Sequence, residues 1–257
     1  MNSWEINEFA KAGLLVNARM SYAILKGIKL VGMDMRRIDL YMADLSRCDL
    51  SHAILSEADI SEADISWSIM IGVKLDRATC ISTDFTGTDL TNSGFAGANL
   101  TMANISWCRL DKACFSGACL SRATATRASL RGAMLVGVSL READLTGVDL
   151  SYAILDDSNL YQARLSGANL QGTRLNQANL TGVDLSGANL TDAVLRDAVV
   201  KGANLETARL VRADFRGSVM TGAILTGSNT EGANFEWADV SGVVETQALS
   251  APVCAAV

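Results

Sequence analysis

A chain that coils on itself, with neither a conventional helix nor a flat strand in its main body, is the architecture this sequence predicts, and three observations carry that reading. Every fifth residue from Leu15 to Val240 keeps one frame without insertion or deletion, and 43 of these 46 centres are Leu, Phe, Ile, Met or Val. Two residues before the centres, 28 of 46 positions are Ala and 11 more are Gly, Ser, Thr or Cys. Two residues after the centres stand 19 of the 21 glycines, from Gly27 to Gly242. A period of five fits neither the roughly 3.6 residues of a helix nor the roughly two of a strand. Large and small side chains therefore alternate inward along a coil, and glycine marks sharp corners where φ > 0 is needed.

Taken from the N-terminus, residues 2–12 read as a short helix. Asn2 is an N-cap with Glu5 three residues on, Trp4, Ile6, Phe9 and Ala10 are apolar, and Gly13 stops it. This segment, within residues 1–14, is expected to cover the first coil, because an uncovered end exposes unpaired backbone. Ile28, Met33 and Ile38 then put three large residues into consecutive small slots, so the first coils are expected to be wider or distorted. From there the frame runs to residue 243, with Cys80, Ala125 and Thr230 as the three departures from a large centre. Residues 244–257 have no register. Leu249, Pro252, Val253 and Val257 suit either a cap on the last coil or a homodimer contact, and the sequence does not choose.

Asp or Asn often precedes the centre, as in Ala143-Asp144-Leu145-Thr146-Gly147 and Ala188-Asn189-Leu190-Thr191-Asp192, where a short polar side chain can bond nearby backbone. Such A(D/N)LXX units resemble those of pentapeptide-repeat proteins over about nine tenths of the chain. The resemblance implies an all-β fold, a right-handed quadrilateral β-solenoid in which four five-residue sides make one coil and residues twenty apart stack. On that stacking Phe95 meets Phe115, and Phe215 meets Phe235.

The same stacking groups the candidate binding residues. Arg47, Trp67, Gly87, Trp107 and Arg127 form one outward column, and Trp and Arg are enriched at interaction hot spots. Asp44, Asp64 and Asp84, followed by Asn104, form an acidic ladder on the same side, for which a structural role is the default. Of the six cysteines, Cys48 and Cys108 take small slots, Cys80 a centre, Cys114 and Cys119 the position before a centre, and Cys254 the tail, so packing explains most of them. There is no C-x-x-C pair and one histidine, His52, so neither a metal nor another cofactor is expected.

Composition bounds the function. Apolar residues are spread at five-residue spacing, with no run long enough to span a membrane, and the start Met1-Asn2-Ser3-Trp4-Glu5 lacks the marks of a secretory signal, so a cytoplasmic protein is expected. A formal net charge of −6 argues against direct nucleic-acid binding. A frame uninterrupted over 226 residues leaves almost no loop to carry catalytic groups, so an enzyme is not expected. The leading expectation is a structural or interaction protein: a rigid acidic rod that binds a partner protein, or serves as scaffold or linker in a large multi-subunit assembly. The resemblance adds two points. Pentapeptide repeats are abundant in cyanobacteria, and some members bind DNA gyrase or topoisomerase IV as DNA-like rods, which makes gyrase binding the second expectation. Against it, six basic residues and one acid between Arg109 and Arg141 interrupt any continuous acidic face.

Overall fold

The computed structural model describes residues 15–245. The residue before each centre forms a parallel bridge with the residue twenty positions on, from Arg19↔Asp39 to Ile224↔Val244. Twenty residues at five per side make a four-sided coil. The described residues contain no helix; the helix expected over 2–12, the 1–14 cap and residues 246–257 lie outside them. Val244, assigned to the tail from sequence, still pairs with Ile224.

The side from Leu50 to Ile54 shows how the backbone is satisfied. Leu50 N–H donates to the Ile69 carbonyl at 2.7 Å and His52 N–H to that of Ile71 at 2.8 Å, both in the following coil. Ile54 N–H donates to Met33 of the preceding coil at 2.9 Å, and Ala53 N–H closes the corner on the Leu50 carbonyl at 3.0 Å. One amide of the five, Ser51, finds no backbone acceptor. Its partner is the Asp49 carboxylate at 3.1 Å. The Asp or Asn of the repeat is therefore the acceptor for the one donor that the ladder leaves over, as buried or half-buried amides require.

Each corner spans four residues with φ > 0 at the third, the backbone of a type II turn. All 46 such residues are left-handed: 19 glycines and 27 others, among them His52 (φ 59°) and Trp67 (φ 60°). Sequence reasoning tied this conformation to glycine alone. Non-glycine residues pay roughly 1–2 kcal/mol each for it, and the ladder bonds on both sides of the corner hold them there.

Centres and small slots face inward along the rod, and side chains two residues after a centre face out. Phe95 stacks on Phe115 (4.7 Å, 5°) and Phe215 on Phe235 (5.2 Å, 12°), as the twenty-residue register requires, while Phe85 meets Phe95 edge to face at 6.2 Å. Some polar residues in small slots reach the centre carbonyl of the preceding coil: Ser68 Oγ donates to Leu45, Thr83 Oγ1 to Ile60 and Thr173 Oγ1 to Leu150, all at 2.8 Å, whereas the buried hydroxyls of Ser93, Ser158 and Ser218 have no partner among the described residues.

The first coils, expected to be wider or distorted, keep their corner hydrogen bonds. Corner bonds at Ile28, Met33 and Ile38 are 3.2–3.3 Å, no longer than the 3.4 Å at Thr83 and Cys108. Ile38 is buried, whereas Ile28 and Met33 are half-buried at the margin of the core, so only part of their volume has to fit inside.

Candidate functional site

The column Arg47, Trp67, Gly87, Trp107 and Arg127 lies along one corner edge of the solenoid. Every member has φ between 56° and 70°, so the side chains project from a strained turn rather than a flat side. Trp67 is 62% exposed and Trp107 54%, against the near-complete burial of the centres two residues before them. A corner substituent leans toward the next coil. The Trp67 indole rests against Gly87, where a Cβ would stand 2.5 Å from its Cε3. The gap that a bare glycine suggests between the two indoles is thus floored by one of them. Trp107 has a different neighbour twenty residues on: the Arg127 guanidinium lies 4.9 Å from its ring centroid, a cation–π contact.

That rule of leaning governs the other corners. His52 rests against Gly72 and Tyr152 against Gly172. At three pairs of successive non-glycine corners opposite charges meet, Arg37–Glu57, Arg122–Glu142 and Arg212–Asp192. Sequence reasoning missed these pairs, whose signal is a large or charged corner residue followed twenty positions later by glycine or its counter-charge.

The ladder of Asp44, Asp64 and Asp84 lies on the side that leads into the Trp edge, each residue bridged to the next, with Asn104 continuing it. Each Oδ1 accepts a backbone N–H two residues on, from Ser46 at 3.0 Å, Ser66 at 2.9 Å and Thr86 at 2.9 Å, so these carboxylates fill the leftover-amide role. Asn104 does the same for Ser106 at 3.1 Å, without a charge. Burial raises the Asp44 pKa, but the hydroxyl and amide of Ser46 outweigh it and hold the carboxyl below its ordinary range. The Oδ2 atoms of all three accept no hydrogen bond from the described residues.

At three sides where the residue before a centre is not Asp or Asn, an acid of the preceding coil takes over, one of them Asp111 for Arg131 N–H at 3.2 Å. Asp76 accepts from Ala96 N–H at 3.1 Å beside Gly94, and Asp156 from Asn176 N–H at 3.0 Å beside Arg174. The strongest carboxylate cluster is near the C-terminal end of the described residues. Burial raises the Asp214 pKa, and bonds from Arg216 and Arg196 overcome it and bring the carboxyl down to about 2. Arg196 and Arg216, with Asp197, Gly217 and Trp237, line an open cleft there.

Cys48, Cys80 and Cys108 are buried, and burial pushes the Cys108 thiol up to about 12 and that of Cys80 higher still. Cys48 and Cys108 donate to the Leu25 and Phe85 carbonyls, so packing and a hydrogen bond account for them. Among the described residues no group of three or more His, Cys, Asp or Glu could hold a metal ion. The arrangement presents aromatic and charged side chains at regular positions along the corners.

A family model described as "Pentapeptide repeats (8 copies)" matches residues 14–51, 34–72, 53–92, 74–111, 95–124, 126–160, 158–197, 198–236 and 208–244. HetL, a pentapeptide repeat protein involved in heterocyst differentiation regulation from the cyanobacterium Nostoc sp. strain PCC 7120, is 28% identical, with 94% of this chain and 98% of that one covered and a TM-score of 0.36. QnrB1, a plasmid-mediated fluoroquinolone resistance protein, is 20% identical in one trypsin-treated variant, over 68% of this chain and 90% of that one, with a TM-score of 0.51. Rfr23, a pentapeptide repeat protein from the cyanobacterium Cyanothece 51142, is 32% identical over 38% of this chain and 60% of that one, with a TM-score of 0.20. Among curated proteins none matches.

Proposed function

The chain belongs to the pentapeptide-repeat family, whose solenoids are right-handed, and we propose that it is a non-enzymatic interaction rod, a scaffold or linker that binds a partner protein along the Trp67–Trp107 edge. The observation that supports this reading is the pair of exposed indoles two coils apart on a corner that elsewhere carries small or charged residues. Rows of solenoid side chains suit extended partners, and exposed Trp beside Arg is the composition of a hot spot. A cytoplasmic setting, in which thiols stay reduced, fits the five free cysteines of the described residues. No helix among these residues is long and apolar enough to cross a membrane.

The double substitution Trp67→Ala and Trp107→Ala tests the reading. Both side chains point away from the core, so the melting temperature should hold. Partner affinity should drop by about 2 kcal/mol or more, roughly thirtyfold. A variant that melts like the parent and keeps every partner at full affinity would defeat the proposal.

A second reading, a DNA-like acidic rod that binds gyrase or topoisomerase IV, is favoured by one feature. Residues 44–89 hold nine acids against three basic residues, and the rest of the chain carries 19 of each. On that reading the purified protein alters gyrase supercoiling at stoichiometric concentration with strong salt dependence. No effect at low salt would remove it.

A further inference from the structure

We infer that the Trp67 edge receives an arginine-bearing basic protein segment, one guanidinium stacking on the Trp67 indole while neighbouring cations pair with Asp44, Asp64, Asp84 and Asp49. This rests on the reading of the edge as a protein-binding surface and names the chemistry of its partner. Three observations lead to it.

The first is internal. Trp107 already holds a guanidinium, that of Arg127 at 4.9 Å, so an indole at this corner and in this backbone conformation has the right aim to take one. Trp67 is the same residue in the same column at nearly the same φ, 60° against 61°. Its successor in the column is Gly87, which has no side chain to offer. Among the described residues no guanidinium or ring is placed over Trp67, and 62% of it is open to solvent. The Trp67 ring lies on Gly87, where Trp107 leaves room for Arg127, so the two indoles differ in pose: one already carries a guanidinium, and the other has one side on Gly87 and its open side uncovered.

The second is charge. The whole formal excess of −6 falls within residues 44–89, the stretch centred on Trp67. The excess is also usable: the Oδ2 atoms of Asp44, Asp64 and Asp84 accept nothing from the described residues, because the turn amides need only Oδ1. Across the edge, Asp49 likewise bonds Ser51 through Oδ1. A potential of one sign around an aromatic steers and registers a partner of the other sign.

The third is the surface around the ring. Ile69, two residues past Trp67, is 46% exposed between Asp49 and Asp89 in its own column. An arginine that stacks on an indole also lays an apolar stem, and Ile69 gives that stem a contact. Ladder carboxylates recur at a coil spacing of about 4.8 Å and same-face side chains of an extended chain at about 6.7 Å, a difference that flexible arginine stems span.

The probe is a twelve-residue peptide of alternating arginine and glycine, with its glutamine–glycine and lysine–glycine counterparts, titrated calorimetrically into the full chain at low and at physiological salt. Wild type should bind the arginine peptide in preference to the lysine one, bind the glutamine one negligibly, and weaken steeply with salt. Trp67→Gly should weaken binding about tenfold and leave the fold intact, since glycine occupies 19 of the 46 corners. Asp64→Asn with Asp84→Asn should weaken it as much, and Asn104 shows that the amide keeps the turn bond. Asp144→Asn with Asp184→Asn, the same charge change farther along the same column, should weaken it less than twofold. Arg127→Ala should strengthen binding by opening the Trp107 face.

Equal loss from both aspartate pairs, or none from Trp67→Gly, would overturn the inference in favour of diffuse attraction to an acidic rod. Failure of the arginine peptide to bind wild type at low salt would also overturn it. If that failure accompanies a native partner whose capture still requires Trp67 and Trp107, the interaction reading stands and only the basic partner falls.

Discussion

Asp214 offers the sharpest test of how this rod is held together. Its Oδ2 accepts from Arg196 Nε at 2.7 Å and Arg216 Nη2 at 2.8 Å, and its Oδ1 from Arg216 Nε at 3.0 Å and Arg216 N–H at 3.2 Å. The carboxylate is 16% exposed, so solvent screens it weakly. A carboxyl that titrates at 3.8 unfolded and about 2 folded adds about 2 kcal/mol of stability wherever both states are ionised. The folded value is the depressed one, so this contribution is complete above about pH 5, starts to fall near pH 3.8, is about half near pH 3 and is nearly gone at pH 2. Asp214→Asn keeps the turn bond, as Asn234 does for Glu236 N–H at 2.9 Å in the next coil, and loses the ion pairs. The difference between wild type and variant should therefore be about 2 kcal/mol at pH 7 and shrink toward zero between pH 4 and pH 2. Amide exchange at Leu195, whose N–H donates to the Asp214 carbonyl at 2.7 Å, reads this locally even if the coils melt in stages. A difference that stays constant from pH 7 to pH 2.5, or is absent at pH 7, would show that the arginines do not stabilise this corner as their geometry implies.

Two further changes test the register and the amide accounting. Leu145→Asp buries a carboxyl in the central stack and should cost about 5 kcal/mol or more, seen as lost solubility or broken cooperativity in a urea melt. Asp144→Asn, one residue away, should cost under about 0.5 kcal/mol, because Asn189 keeps the same bonds to Thr191; equal effects would mean the wrong residues face inward. Asp76→Ala removes the acceptor of Ala96 N–H and should cost about 1 kcal/mol. Gly94→Asn in that background should recover it, because the acceptor then comes from the slot before the centre. No recovery in thermal melts would break the account of one leftover amide per side.

Rigid repetition explains what was legible and what was not. The five-residue frame, the inward alternation and the corners follow from local chemistry repeated 46 times, so the sequence by itself determined that centres and small slots point inward, that Trp67 and Trp107 face solvent, and that Phe95 would stack on Phe115 once the coil length was known. It did not determine that Ser46, Ser151 and Val211 beside the corners are buried as well. The coil length itself is a long-range property: only hydrogen bonds such as Leu50 N–H to Ile69 show that twenty residues close one turn. Neighbours along the rod were hidden for the same reason. The Trp67 indole against Gly87, Arg127 over Trp107 and Asp76 serving Ala96 each join residues twenty apart, where side-chain direction decides contact. Left-handed backbone at 27 non-glycine corners was also beyond the sequence. Most of those residues carry no local preference for φ > 0, and the ladder on either side imposes it, because the free energy of pairing every amide exceeds the strain at each turn.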